Sequence, residues 1–194
     1  MIQGLYKCFQ HWSANGAVWL YSDPHFGDSD CKLMDPNWPE PDEQVRRINA
    51  KVGRKDTLIL LGDVGDIEYA AKLRGYKVLI CGNHDMGHSK YEEIFDEVYS
   101  GPLVIGEKLI LSHEPLFDVN WAFNIHGHIH SGCPRMFEEH LNVCANVIGY
   151  VPVSLNQFIK KSGALKKIQS IHRQTIDKAS GKAFAAKNFI EIGK

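Results

Sequence analysis

The stretch Ile80-Cys81-Gly82-Asn83-His84-Asp85 joins an apolar run to three polar residues of the kind that bind metals or move protons. The run begins at Lys77 and ends at Gly82, which breaks it. Short apolar runs bounded by breakers are typical of buried strands. The stretch therefore predicts a strand that delivers Asn83, His84 and Asp85 at its carboxyl end.

The same layout recurs four more times along the chain. Each apolar run is followed by aspartate or histidine: 19–21 by Asp23 and His25, 58–61 by Asp63, 109–111 by His113, and 123–125 by the run from His126 to His130. His128 and His130 would face the same side if this strand continued through them. Five strand ends therefore predict one shared site along the edge of a sheet.

Length and composition are those of a single globular domain. The chain has 194 residues, of which 44% are hydrophobic, and this is enough for a real core. Its net charge of -1 favours neither nucleic acid nor membrane as a partner. Bound metals can still supply positive charge locally, so phosphate substrates are not excluded.

The cysteines and the start of the chain indicate a cytoplasmic protein. There are 5 cysteines and no CxxC pair, which is typical of reduced thiols. The first 13 residues lack the apolar core of a signal peptide, and no apolar run reaches membrane-spanning length. Cys133 lies just past the His128/His130 run and could approach the predicted site, although proximity in sequence is weak evidence.

Runs with the spacing of strands alternate with runs of helical spacing, which predicts an α/β domain. The first predicted elements are an edge strand within 1–16 that forms a hairpin with 17–21, a long loop over 23–41, and a helix that begins at Pro41 and ends before Gly53.

Further elements follow in the same alternation. They are strands over 56–61 and 76–81, helices over 66–73 and 91–95, a hairpin over 103–111, strands over 141–145 and 147–153, and a helix from Ser154 to Lys161. Residues 164–194 carry none of the metal-type residues in this layout and are predicted to be a C-terminal extension, either a hairpin or a tail, of one domain spanning 1–194.

Taken singly, each polar motif is weak, because most Asp-x-His pairs are capped loops and most lone histidines are core residues. Together they form an ordered set: Asp23-x-His25, Gly62-Asp63-x-x-Asp66, Gly82-Asn83-His84-Asp85, His113, and Gly127-His128-x-His130. This set resembles the calcineurin-like metallophosphoesterase superfamily. The segment 150–155 further resembles small phage and bacterial members. Ile67 stands where the protein serine/threonine phosphatases carry an arginine, which argues against that branch.

The resemblance implies a sandwich of two mixed β-sheets flanked by helices, and a site for two metal ions. Carried over by position, one ion is held by Asp23, His25 and His130, the other by Asn83, His113 and His128, and Asp63 bridges both. These imidazole and oxygen donors suit divalent or transition metals. Manganese is the first choice, with iron, nickel, cobalt or zinc as alternatives.

The resemblance also implies a catalytic role for His84, which protonates the leaving group or stabilises its charge. Asp66 matches the aspartate that orients this histidine, and the alternative interpretation of Asp66 is an N-cap for the helix that follows. Asp85 is interpreted as structural, and His126 as a core residue or a neighbour of the ligands. Arg135 and the remaining histidines, His11, His88, His140 and His172, are interpreted as having no role in the site.

The implied function is metal-dependent hydrolysis of a phosphodiester by a hydroxide that two metals activate. The substrate would be a phosphoester of a kind that includes nucleotide-derived ones. Phosphomonoesterase and nuclease activities are alternatives, and so is a metal-binding scaffold with weak catalysis. Every ligand position and His84 are intact, which argues against the scaffold. The sequence leaves the oligomeric state open.

Overall fold

The architecture is a sandwich of two mixed sheets with helices covering the outer face of the larger one. The computed structural model describes residues 2, 4–85, 89–117, 119, 121–135 and 139–163. The expectations for residues 164–194, and those for His88, lie outside the described residues. Within the described part, no helix is both long and apolar enough to cross a membrane.

The larger sheet has the strand order β4-β3-β2-β1-β9. β1 to β4 run parallel and β9 is antiparallel to β1. Its strands are β1 (Val18–Tyr21), β2 (Thr57–Leu60), β3 (Tyr76–Ile80), β4 (Glu97–Tyr99) and β9 (Val153–Ser154).

The smaller sheet has the order β5-β6-β7-β8. Its first pair is the predicted antiparallel hairpin, and β6, β7 and β8 run parallel. The strands are β5 (Leu103–Gly106), β6 (Leu109–Leu111), β7 (Phe123–His126) and β8 (His140–Asn142). The predicted α/β sandwich of two mixed sheets is therefore confirmed.

Among the described residues, six helical segments accompany the sheets: a 3₁₀ helix over Lys7–Ser13, then α1 (Cys31–Met34), α2 (Pro41–Lys51), α3 (Ile67–Ala71), α4 (Ser89–Glu92) and α5 (Leu155–Ser162). The proline at the first position of α2 and the acidic residues of its first turn favour a helix start. At α5 the predicted Ser154 cap is confirmed, because its hydroxyl accepts from the Gln157 amide at 3.4 Å.

Two apolar layers hold the sandwich together. Between the sheets, Ile59 and Ile80 of the larger sheet pack with Ile125 of the smaller, and all three are fully buried. On the other face of the larger sheet, Leu60 packs with Ile48 of α2. Because every residue of β2 is buried, this central strand is apolar throughout rather than alternating.

Three local predictions were wrong. The first segment forms a 3₁₀ helix rather than a hairpin strand, because this turn buries Trp12, whose indole N–H donates to the Glu97 carboxylate at 2.9 Å. The segment 147–153 is a turn as far as Tyr150, where φ is +62°, and only then forms β9. The loop over 23–41 contains the short helix α1.

Candidate metal centre

The predicted ligands lie where the carboxyl ends of five parallel strands meet. The larger sheet leads to four of the predicted ligands, which are Asp23 and His25 after β1, Asp63 after β2 and Asn83 after β3, while β6 and β7 of the smaller sheet lead to His113, His128 and His130. The site therefore spans the facing edges of two sheets rather than the edge of one, which is a correction to the expectation of a single sheet edge.

Two groups of side chains come together there. The ligand atoms of Asp23, His25 and His130 all lie within 4.8 Å of one another, and the same holds for Asp63, His113 and His128. We call these the first and the second half-site. Asn83 joins the second, because its Oδ1 lies 2.8 Å from His113 Nε2 and 3.1 Å from His128 Nδ1.

The second half-site brings lone pairs face to face. His113 Nδ1 lies 2.7 Å from the Leu61 carbonyl oxygen. A carbonyl oxygen only accepts, so Nδ1 carries the proton and the neutral ring presents a lone pair at Nε2. That lone pair meets Asn83 Oδ1 and lies 3.2 Å from His128 Nδ1. Such a cluster of acceptors needs a cation at its centre.

The spacing of these atoms suits a metal. Two ligands about 2.1 Å from one ion, at angles between octahedral and tetrahedral, lie about 3.0–3.4 Å apart. In the second half-site the separations are 2.8, 3.1 and 3.2 Å among the three neutral donors, and His113 Nε2 lies 3.3 Å from Asp63 Oδ2. The donor set and its geometry both fit an ion of this kind.

Asp63 lies between the half-sites. Its Oδ2 is 3.3 Å from His113 Nε2 and 3.7 Å from His25 Nε2, while its Oδ1 accepts from the backbone N–H of His84 at 2.9 Å. One carboxylate oxygen therefore faces a histidine of each half-site, which is the arrangement that a bridging ligand requires.

The first half-site is looser. His130 Nε2 lies 3.4 Å from Asp23 Oδ1, and the His25 and His130 ring centroids are 5.3 Å apart. The Asp23 carboxylate also accepts from the backbone N–H of His128, at 2.9 Å to Oδ2. This bond ties the β1 end of the site to the histidine loop.

The charges of the site attract cations. Burial by itself raises the pKa of Asp63, but hydrogen bonds from His113 and from the His84 amide bring it below its usual value. Burial likewise raises the pKa of Asp23, and the bond from His130 together with the charge of His113 outweighs it. For His113, burial lowers the pKa, but Asp63 and Asp23 raise it to about 9. A proton and a metal ion therefore compete for the same place.

The backbone at the site is strained in a consistent way. Of the five non-glycine residues with positive φ in the described part of the chain, four are predicted ligands: Asp23 (54°), His25 (42°), Asp63 (51°) and His128 (64°). Each left-handed residue of this type costs on the order of 1 kcal/mol. Such outliers cluster at functional sites, which supports a ligand role for these residues.

His128 also corrects one expectation. β7 ends at His126, and the two following histidines lie in a loop rather than alternating along a strand. The left-handed turn at His128 aims its Nδ1 at the second half-site, while His130 reaches the first.

The glycines of the motifs are required by close approach. A Cβ on Gly82 would lie 2.3 Å from Asp63 Oδ1, and one on Gly127 would lie 2.2 Å from Asp23 Oδ2. On Gly62, where φ is +89°, it would lie 2.5 Å from His113 Nδ1. At each motif a side chain would displace a predicted ligand.

Asp85 fastens the two loops that carry Asp63 and Asn83. Its carboxylate accepts from the backbone N–H groups of Asp63, Val64 and Gly82 at 2.8–3.0 Å and from the Tyr91 hydroxyl at 2.9 Å. The expected structural role of this residue is confirmed.

His84 is exposed at the mouth of the site, and its ring centroid lies 5.7 Å from that of His25. The Asp66 carboxylate accepts from the Glu68 amide at 2.9 Å and so caps α3. Among the described residues no hydrogen bond joins Asp66 to His84. The orienting role of Asp66 therefore stays a prediction.

His126, His11 and Arg135 make contacts outside the two half-sites. His126 is buried, its Nδ1–H donates to the Gly127 carbonyl at 2.8 Å, and burial lowers its pKa to about 4. His11 pairs with Glu97 at 2.6 Å, far from the site in the fold. Arg135 lies over the Phe123 ring, with its guanidinium carbon 5.4 Å from the centroid.

Sequence reasoning missed three residues that support the ligands. Asp28 Oδ2 lies 3.6 Å from His25 Nδ1, on the side of the ring away from Asp63. Cys144 is fully buried, with its sulfur 3.3 Å from His130 Nδ1, whereas Cys133 is exposed. Trp38 packs against both rings, with centroids 6.2 Å from His25 and 5.8 Å from His130. Partners on the far nitrogen fix the orientation of ligand histidines. The spacing from His25 to Asp28 was the one signal available.

No protein-family model matches the chain. The uncharacterized protein MJ1445 of Methanocaldococcus jannaschii is 29% identical over 179 residues, which cover 80% of this chain and 96% of that protein. The Gene 66 protein of Mycobacterium phage D29 is 32% identical over 88 residues, covering 39% of this chain and 44% of the phage protein.

Two solved structures resemble the chain to different degrees. The protein of unknown function AQ665 from Aquifex aeolicus superposes with a TM-score of 0.62 at 24% identity, covering 74% of this chain and 98% of that one. This likeness shows a shared fold. A conserved uncharacterized protein of Streptococcus pneumoniae, described as a predicted phosphoesterase, reaches a TM-score of 0.33 at 20% identity, covering 66% of this chain and 70% of that one.

Proposed function

We propose that this chain is a phosphoric ester hydrolase that uses two metal ions to hydrolyse a phosphodiester. The observation that carries the proposal is the convergence of His113 Nε2, His128 Nδ1 and Asn83 Oδ1 within 3.2 Å of one another, with Asp63 alongside. With His113 neutral, these atoms would present lone pairs to one another, and a shared cation, either a proton or a metal ion, relieves that repulsion.

One ion would be held by Asp23, His25 and His130, and the other by Asn83, His113 and His128. Both ions would be contacted by Asp63. Manganese is the first choice for these donors, and iron, nickel, cobalt and zinc are the alternatives. When bound, such a pair of ions supplies positive charge for a phosphate and lowers the pKa of a water between them.

The chain's own side chains orient the site and limit the access of water to it. His113 is held in one tautomer by Leu61, and His25 is backed by Asp28, so the two rings keep their orientation. Both rings are nearly buried, at 4% and 9% exposure, which limits the access of bulk water behind the ligands. A phosphate can approach from the side on which His84 and Asn83 are exposed.

His84 is placed to move a proton. Its backbone N–H is fixed to Asp63 Oδ1, so the residue cannot drift from the half-sites, yet its ring is exposed where a leaving group would depart. It is absent from both groups of ligand atoms. We assign it the protonation of the leaving oxygen, and we assign Asp66 the support of that ring in the substrate complex.

The substrate would be a phosphoester, with nucleotide-derived diesters as the leading class. The test is elemental analysis of protein loaded with Mn²⁺, followed by initial rates on bis(4-nitrophenyl) phosphate and on 4-nitrophenyl phosphate. We expect two ions per chain, faster turnover of the diester, and loss of activity with a chelator that added Mn²⁺ restores.

Each other outcome selects an alternative. Faster turnover of the monoester would make the chain a phosphomonoesterase, and two bound ions without turnover of either ester would make it a scaffold. One ion or none in fully loaded protein would contradict the two-metal site. Asp30→Ala serves as a control for loss of negative charge near the site. It removes an exposed carboxylate that belongs to neither half-site, so it should keep both ions.

A further inference from the structure

A second concave surface lies away from the predicted ligands, at the edge of the larger sheet. It is a groove of about 520 Å³ formed where β9, α5 and the end of α2 come together. Its lining includes Trp19, Lys51, Arg135, Val151, Phe158 and Lys161. We call it the basic groove.

The groove collects positive charge on a negatively charged body. Three cationic side chains line it, and its described lining contains no carboxylate. Lys51 and Lys161 are exposed, and within the described part of the chain neither has an ion-pair partner. Residues 1–163 carry a net charge of -6, so a random sample of this surface would be acidic.

The rest of the chain's positive charge follows directly. Residues 164–194 contain seven lysines and arginines and two acidic residues, which gives a net charge of +5. This segment begins three residues after Lys161. The overall charge of -1 therefore hides a separation in the sequence between an acidic part, 1–163, and a basic part, 164–194.

The floor of the groove is apolar and held in place. The Trp19 indole N–H donates to Asp56 at 3.0 Å, and Phe158 packs on Phe123 with ring centroids 5.0 Å apart. Val151 adds to this floor and is 37% exposed. Flat apolar surfaces flanked by cations are the combination that holds single-stranded nucleic acid, because bases stack while the phosphates pair with lysine and arginine.

We propose that the basic groove binds single-stranded nucleic acid, with Lys51 and Lys161 contacting phosphates and the apolar floor contacting bases. A lipid surface fits less well because the groove is concave, and an acidic peptide offers charge without planar rings. Binding of the strand does not depend on the function proposed above. Only cleavage of the bound strand rests on that function, and for this reaction single-stranded nucleic acid would be the substrate class.

The test is fluorescence anisotropy of a labelled single-stranded 12-mer with the full chain in chelator, over a range of salt concentrations. Each phosphate contact contributes about 0.7 to the slope of log K against log salt. The double variant Lys51→Gln/Lys161→Gln should therefore reduce the magnitude of this salt slope by about 1.4. It should also weaken binding roughly 10-fold at 0.1 M salt. The control pair, Lys7→Gln with Lys55→Gln, removes the same charge outside the groove and should leave the slope unchanged.

Three results would overturn the inference: no binding of the 12-mer, equal effects of the two variant pairs, or equal competition by polyglutamate or by vesicles rich in phosphatidylserine. Wild-type hydrolysis of bis(4-nitrophenyl) phosphate is measured alongside with Mn²⁺. Hydrolysis without strand binding would remove this inference alone, and strand binding without hydrolysis would remove the proposed function alone.

Discussion

Two polar clusters lie at opposite ends of the parallel strands. They differ in whether the protein itself supplies hydrogen-bond donors for all of their acceptors. At the amino ends of β3 and β4, the Glu97 carboxylate accepts from four side chains: His11 at 2.6 Å, Trp12 and Tyr76 at 2.9 Å, and Tyr99 at 2.5 Å. Burial raises the pKa of Glu97, but the bonds from His11 and Tyr99 bring it below its usual value.

At the carboxyl ends, the cluster around Asp63 has the opposite composition. Its neighbours His113, His128 and Asn83 present acceptors to one another, and several of its residues adopt left-handed backbone conformations. The Glu97 cluster is complete with its own donors, whereas the Asp63 cluster brings together acceptors that a cation can join. The difference separates a polar group kept for stability from one kept for binding, and the following experiments test that difference.

The largest effect is expected from Asp63→Ala. Because Asp63 Oδ2 faces a histidine of each half-site, we expect the variant to lose both ions, and with them all hydrolysis. Ligands that bind only the folded state stabilise it. Chelator should therefore lower the melting temperature of the wild type and leave that of the variant unchanged. Elemental analysis and melting curves measure both, and a variant that keeps one ion would rule out the bridge.

The next effect is that of His84→Asn. The variant should keep both ions, because His84 belongs to neither group of ligand atoms. Loss of proton donation costs about 10²- to 10⁴-fold, or about 3–5 kcal/mol of barrier, on alkyl esters whose leaving oxygen needs a proton. Aryl esters with acidic leaving groups should lose much less, and Asp66→Asn should show a weaker form of the same trend.

The measurement is kcat across esters of graded leaving-group pKa, with metal content determined on the same samples. Equal losses across the series with both ions retained would contradict proton donation. Loss of an ion would instead make His84 part of the Asp63 cluster.

Gly82→Ala tests whether the Asp63 cluster is fixed by close packing. The new Cβ would lie 2.3 Å from Asp63 Oδ1 and 2.7 Å from its backbone nitrogen. We expect a loss of about 1–3 kcal/mol in the free energy of unfolding, together with weaker metal binding. Gly101→Ala is the matched control, since its Cβ would meet no atom within 4 Å. Urea unfolding and metal titration give both quantities, and equal behaviour of the two variants would contradict the packing argument.

The smallest effect is expected from Glu97→Gln, which should leave metal content unchanged. At pH 7 the free energy of unfolding should fall by about 1–3 kcal/mol, because donors buried with the carboxylate lose a charged acceptor. The pKa of Glu97 is lowered by folding, so its stabilisation is present above the unfolded value and is lost as pH falls through the folded one. The unfolding midpoints of wild type and variant should therefore converge at acid pH.

Much of the fold could be predicted because several elements have one dominant signal. β2 is apolar throughout and central, and α2 has a proline start and apolar residues at helical spacing. The hairpin of β5 and β6 follows from its Gly106-Glu107 turn. The 3₁₀ helix over Lys7–Ser13 could not be predicted, since the contact between Trp12 and Glu97 that favours it joins residues 85 positions apart.

The candidate site divides in the same way. The ligands were predictable because each follows an apolar run, and because their order resembles a known family. Their left-handed conformations were not, since aspartate and histidine carry no sign of positive φ in a sequence. Cys144 gave no signal either, because it contacts His130 through the fold and belongs to no motif. The charge separation at residue 164 was visible in the sequence but hidden by the net charge.

The left-handed backbone at the ligands has a consequence for the kinetics of metal uptake. Asp23, Asp63 and His128 hold their conformations through bonds within the protein, such as those that the Asp63 amide donates to Asp85 and the His128 amide donates to Asp23. An incoming ion thus meets ligands that are already oriented, and no slow rearrangement has to precede its capture. The rate of loading should then follow how fast each hydrated ion sheds its water, so that different metals enter the same apo chain at different speeds.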